Sequence, residues 1–252
     1  MTDSSSNRSI FEAIFNAALL QDDKPINPNK PAGPDKQGGK KIFPTAPLRD
    51  LSILSTSVIL ARFQAFVKQA GKKTFVADVN RYRVRQYSAN WLINATWREG
   101  DGPIRTRLER LEYLCFGSPT LRYLLYTIRR EVLPSRDDPL AKKRKLLVTE
   151  ATPLCAWFLE ICLRYALIDV KVMHAELDQR ERTATGAEFN RLESPLQVLI
   201  IMYDVSAQGL NLHTACHVAF VATAARNSAL EIQGWGRILR VSVSEVFQSY
   251  ID

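Results

Sequence analysis

Residues Val198–Arg240 read VLIIMYDVSAQGLNLHTACHVAFVATAARNSALEIQGWGRILR. Two apolar runs frame the first half of this stretch, QVLIIM from Gln197 to Met202 and HVAFVA from His217 to Ala222. Neither alternates apolar with polar residues, so each predicts a strand buried on both faces. A loop containing Gly209 separates them. From Ser228 to Leu239 the spacing becomes helical, with Ile232, Trp235 and Leu239 as the stripe expected to face the core.

Working outward, the same alternation extends in both directions. KLLVT, starting at Lys145, is a short apolar strand, after which Thr152 and Pro153 open a helix as cap and first-turn proline. DVKVM, Asp169–Met173, is the next strand. Asp178 and Glu181 have capping-box spacing before a helix that runs to about Asn190. EVFQSYI, Glu245–Ile251, is a fifth strand. Strands alternating with helices, apolar on both faces, predict an α/β fold over 145–252: a parallel sheet with helices outside. No internal repeat is present.

Within this frame the order of short motifs is informative. Gly209, Leu210, Asn211 and Leu212 end the turn after the third strand. Ala215 and Val218 lead into the fourth. Asn227, Ser228, Gln233, Arg237 and Arg240 are spaced along the last helix. This succession resembles motifs V and VI of the C-terminal lobe of Swi/Snf-type helicase-like ATPases. HAELDQRER, His174–Arg182, is similar to that family's His-Gly-Gly-Met-Ser block, and SPTLRYLLYTI, Ser118–Ile128, to the Ser-Pro-Lys-Leu helix that precedes the lobe. KLLVT stands where motif IV begins. The resemblance spans about 118–252. It implies a RecA-like lobe that contributes Gly209, Gln233, Arg237 and Arg240 to a nucleotide site, with Arg237 and Arg240 as the catalytic arginines. It also implies that Ser206 and Gln208 touch nucleic acid, DNA in particular, and that the protein acts in the nucleus on chromatin.

Elementary chemistry agrees. Steps of four and three place Gln233, Arg237 and Arg240 on one helix face. Two guanidiniums there are permanent, planar donors for phosphate oxygens, suited to the charge that develops on a transferring phosphoryl group. The alternative is a solvent-facing helix with ordinary surface arginines.

Departures and absences limit the activity. The lysine the family places after the third strand is here Asp204, which repels phosphate. The Asp-Pro-Trp-Trp step is Thr223, Ala224, Ala225 and Arg226. No phosphate loop or magnesium motif occurs: 33–41 lacks Ser/Thr and a preceding strand, 70–74 lacks the leading glycine, and Asp137 and Asp138 sit in a polar connection. These residues hold half of an ATP site, so ATP with magnesium binds only if a first lobe is supplied in trans by another chain. The alternative is a non-enzymatic nucleic-acid- or protein-binding module derived from such a motor.

The first part of the chain differs in character. Residues 1–144 carry 25 Lys/Arg against 14 Asp/Glu, a net +11, whereas 145–252 carry 9 against 12, a net −3. A basic surface fits nucleic acid, or simply a solvated Lys/Arg face. Residues 1–47 read as an amphipathic helix, Ser9–Leu20, docking on the protein itself or on a partner, followed by a Pro-rich disordered linker over 21–47. Residues 48–144 read as a basic helical region. Leu51, Leu54, Val58, Ala61, Phe63, Phe66 and Val67 form one helical stripe with a stop at Gly71. Helices follow near 104–115 and 119–133. Arg81–Trp97 mixes cations with aromatics, a composition that suits either stacked bases or a core-facing helix.

Several functions are excluded. No apolar run is long enough to span a membrane, and the N-terminus lacks a signal-peptide layout. Four cysteines without paired spacing point to a reducing compartment. His213, Cys216 and His217 lack a fourth ligand, so no metal site is assigned. Cys155 and Cys162 fall on one helix face as core residues, and no nucleophile motif supports a hydrolytic triad. The basic run KKRK, Lys142–Lys145, fits nuclear import.

Overall fold

The structure is a computed structural model that describes residues 45–69, 79, 87–133, 144–206, 212, 214–225 and 227–236. Among the described residues five α-helices come first: α1 Thr45–Thr56, α2 Val58–Gln69, α3 Ala89–Thr96, α4 Arg107–Phe116 and α5 Pro119–Glu131. The chain then alternates: β1 Lys145–Glu150, α6 Pro153–Tyr165, β2 Val170–Met173, α7 Gln179–Asn190, β3 Val198–Met202, the single turn α8 Tyr203–Ser206, β4 Cys216–Val221 and α9 Ser228–Trp235. The four described strands are all parallel, in the order β2-β3-β1-β4. The expected α/β architecture after a helical region is therefore present.

β1 lies between β3 and β4, and all six of its residues are buried. That is why it reads as an unbroken apolar run. β2, paired on one side to β3, exposes Lys171, whose Nζ pairs with Glu188 of α7. Asp178 caps α7 by accepting from the Glu181 N–H, and Glu181 reaches back to the Asp178 N–H, completing the expected capping box.

The helical part and the sheet share one core. Trp157 of α6 packs 5.8 Å from Phe63 of α2 and 6.5 Å from Trp91 of α3, between ring centroids. Phe63 and Trp91 meet edge-to-face at 5.3 Å. Cys155 and Cys162 are buried in α6, as their spacing predicts, and burial pushes both thiols up.

Four expectations are corrected. The Pro-rich linker was expected to run to residue 47, but α1 already starts at Thr45; residues 1–44, with the proposed Ser9–Leu20 helix, lie outside the described residues. The stripe read as one helix from Leu51 is two helices broken at Ser57. There Ser57 Oγ accepts from the Ile59 N–H, Val58 N–H donates to Gly117 O at 2.7 Å, and Ser118 Oγ donates to Thr56 O. The partners that stabilise this break come from about 60 residues away in sequence, so local periodicity misses it. Thr152 occupies the N-cap position of α6 but its hydroxyl caps nothing. Lys145, the last residue of the basic run, is buried in β1 and donates to Arg191 O, so it is not part of an accessible import signal. The predicted fifth strand, Glu245–Ile251, lies outside the described residues.

Candidate functional site

Because β1, β3 and β4 are parallel, their C-terminal ends meet at one edge of the sheet, where open α/β sheets take ligands. Glu150 ends β1, Tyr203 follows β3, and Thr223 lies just past β4. These three side chains join the strand ends. Glu150 Oε1 accepts from the N–H groups of Ala151 at 2.8 Å and Thr152 at 3.0 Å, and Oε2 accepts from Thr223 Oγ1 at 3.0 Å. The Glu150 side chain thus binds the two N–H groups that lead into α6, just before its first turn. Burial pushes its carboxyl up to about 7, against the pull of Thr223, Thr152 and Ala151.

A second set of bonds runs alongside. The buried Tyr203 hydroxyl donates to Thr223 O at 3.0 Å. A phenol has one proton, so in the 3.0 Å contact with Thr149 Oγ1 the threonine is the donor. The Ala222 N–H donates to Thr149 O at 3.0 Å. Sequence reasoning missed this network. Thr223 stood out only as a departure from a family pattern. The usable signal was Glu150 itself, an acid ending an apolar run directly before a helix.

The predicted site residues are distributed around this edge. Ser206 ends α8 and Gln233 lies in α9, but neither side chain is among those described. α8 and α9 pack against each other, so the segment after β3 and the last helix are neighbours, as the parallel topology requires. Asn227 caps α9, its Oδ1 accepting from the Leu230 N–H at 2.9 Å. Gln208, Gly209, Arg237 and Arg240 lie outside the described residues, as does the loop from 207 to 211. Where a Gly-containing loop was expected directly after β3, the chain first makes the helical turn α8, on which Asp204 is exposed.

One helix expectation is overturned here. Ile232, read as core-facing, is 66% exposed. Leu230, two residues earlier and so on the opposite side of the helix, is half-buried. The apolar stripe was expected to face the core, and the neighbour α9 packs against is the turn α8.

At the ends of β1, β3 and β4 the described side chains include Glu150, Tyr203, Asp204 and Thr223, with no lysine or arginine. Two acids at these described positions repel rather than attract a triphosphate. The upstream HAELDQRER block has another role in the fold: the buried Arg182 donates to Ala175 O at 2.6 Å, closing the turn between β2 and α7.

Comparison with known proteins fits this geometry. No curated protein matches the sequence. Among solved structures, the chain is similar to the crystal structure of the C-terminal part of the Fun30 ATPase domain, at 13% identity and a TM-score of 0.54. That match covers 95% of this chain and 78% of the other, and at such low identity it speaks to the fold alone. The family model for the helicase conserved C-terminal domain matches residues 139–242, which takes in β1 to α9 and the edge described above. Residues 139–242 are therefore similar to the helicase conserved C-terminal domain.

Proposed function

We propose that this chain supplies the second lobe of a Swi/Snf-type, ATP-dependent DNA translocase, and that it does not hydrolyse ATP by itself. The observation that carries this reading is the packing of α8 against α9 at the C-terminal edge of a parallel sheet. It sets the turn just before the stretch that resembles motif V beside the helix on which the resemblance to motif VI begins. On this reading Arg237 and Arg240 contact the phosphates of a nucleotide held by a first lobe outside these 252 residues. Ser206 and Gln208 face the nucleic acid, and the helical region contributes its excess positive charge. A nuclear site of action follows from the same resemblance.

One observation favours a second reading, a binding module without turnover. Glu150 places an internal acid against the two N–H groups that lead into α6, which disfavours an anion at this point of the edge. The test is ATP hydrolysis by purified 1–252 with magnesium, with and without duplex DNA. No stimulated turnover is expected, because no phosphate loop is present to hold the nucleotide. Turnover that survives repurification overturns the half-site reading.

A further inference from the structure

We infer that the cleft between the end of α3 and the Gly102 turn is a stacking site for one nucleotide of a single-stranded nucleic acid, its base on Trp97 and its phosphate at Arg105 and Arg110. The inference rests on the nucleic-acid reading above and assigns that binding to a place away from the sheet edge.

The cleft has a volume of about 490 Å³. Ile93, Trp97, Pro103 and Ile104 give it apolar walls, and Arg105 and Arg110 add two guanidiniums. No acidic side chain lines it among the described residues. Trp97 is 42% exposed, yet it is held in place: its N–H bonds to Ile93 O at 2.7 Å, and its indole Nε1–H donates to Gly102 O at 2.9 Å. Gly102 has φ +82°, a conformation that L side chains rarely adopt, so glycine is what lets that carbonyl turn toward the indole. The loop is anchored behind. Asp101 accepts from the Arg98 N–H at 3.0 Å and pairs with Arg62 of α2 at 2.7 Å, both side chains largely buried.

A large aromatic ring fixed by hydrogen bonds and left open to solvent is a preformed surface for another flat ring, with little ordering entropy left to lose. The guanidiniums set the ligand's charge. Arg110 is oriented by donating to Asn90 Oδ1 at 2.7 Å, and neither Arg105 nor Arg110 has a carboxylate partner in an ion pair among the described residues. The nearby Glu109 carboxylate is committed to the backbone N–H groups of Arg105 and Thr106 as the cap of α4. An unstacked base with its phosphate meets both requirements. A base can lie flat on an indole only when it is free of a duplex stack, so the occupant is single-stranded.

The test uses the full chain with a short fluorescein-labelled single strand, and with the corresponding duplex, read by fluorescence anisotropy. Trp97→Ala is expected to raise Kd for the single strand by ~10-fold, within the range that loss of one base stack produces. Trp97→Phe should retain part of the affinity. Arg105→Ala with Arg110→Ala should weaken binding and flatten its salt dependence by about one phosphate contact. If the parent binds the single strand and all these variants bind equally well, the site is wrong and the broader reading stands. If the parent prefers the duplex and Trp97→Ala changes nothing, the site is likewise wrong. If the parent binds neither oligonucleotide, the nucleic-acid reading itself fails and the site falls with it.

Discussion

Glu150 accepts a hydrogen bond from Thr223 at 3.0 Å, joining the last residue of β1 to the chain just beyond β4. The carboxyl is fully buried and its pKa stands near 7. Folded Glu150 therefore keeps its proton at pH values where the unfolded chain has released it. Its contribution to stability is complete below about 4.5 and is lost as pH rises toward 7. Glu150→Gln keeps the acceptor and the shape but carries no charge. Its stability relative to the parent should rise by up to about 3 kcal/mol between pH 4.5 and pH 8, as expected for a shift of this size. Urea denaturation of both proteins across that range checks this, and a constant difference would contradict it.

Tyr203→Phe removes the hydroxyl that links Thr149 to Thr223 O. Two buried or half-buried polar groups lose a partner while the ring stays in place. The expected cost is about 1–3 kcal/mol in chemical denaturation. A neutral substitution would mean that water replaces the hydroxyl and that the network does not hold the edge together.

Gly117→Ala tests the junction at the broken helix. A Cβ there would lie 2.8 Å from Cγ1 and 3.0 Å from Cδ1 of the buried Ile59. The backbone of Gly117 is ordinary, with φ −79°, so the objection is spatial rather than conformational. Overpacking should cost about 1–3 kcal/mol. The added bulk should be relieved by Ile59→Ala, making the pair less destabilising than the sum of the two single changes.

The sequence made the sheet legible because β1, β3 and β4 are apolar runs without alternation, and because Asp178 and Glu181 form a capping box from local residues alone. The helix break at Ser57 was not legible, since Gly117 and Ser118 stabilise it from far along the chain. Ile232 was misread because helical periodicity identifies an apolar stripe but not what lies opposite it. The site was legible only as motif order. The side chains that join the described strand ends, Glu150, Tyr203 and Thr223, make contacts that only the sheet order β3-β1-β4 creates.

Binding to nucleic acid should weaken with salt. The net +11 of residues 1–144 predicts that several phosphates are neutralised on binding. Raising ionic strength fourfold should then raise Kd about tenfold or more through counterion reassociation. A salt-independent Kd would remove the basic region from the interface.

In the proposed function, Arg240 belongs to a nucleotide site completed by another lobe. The direct measurement is ATP hydrolysis by 1–252 combined with a first lobe that carries the phosphate loop, comparing the parent with Arg240→Ala. Hydrolysis is expected only in the combination, falling ~10³-fold on substitution while the circular dichroism spectrum and thermal midpoint stay unchanged. Equal turnover by parent and Arg240→Ala, with the two lobes shown to associate, would contradict it.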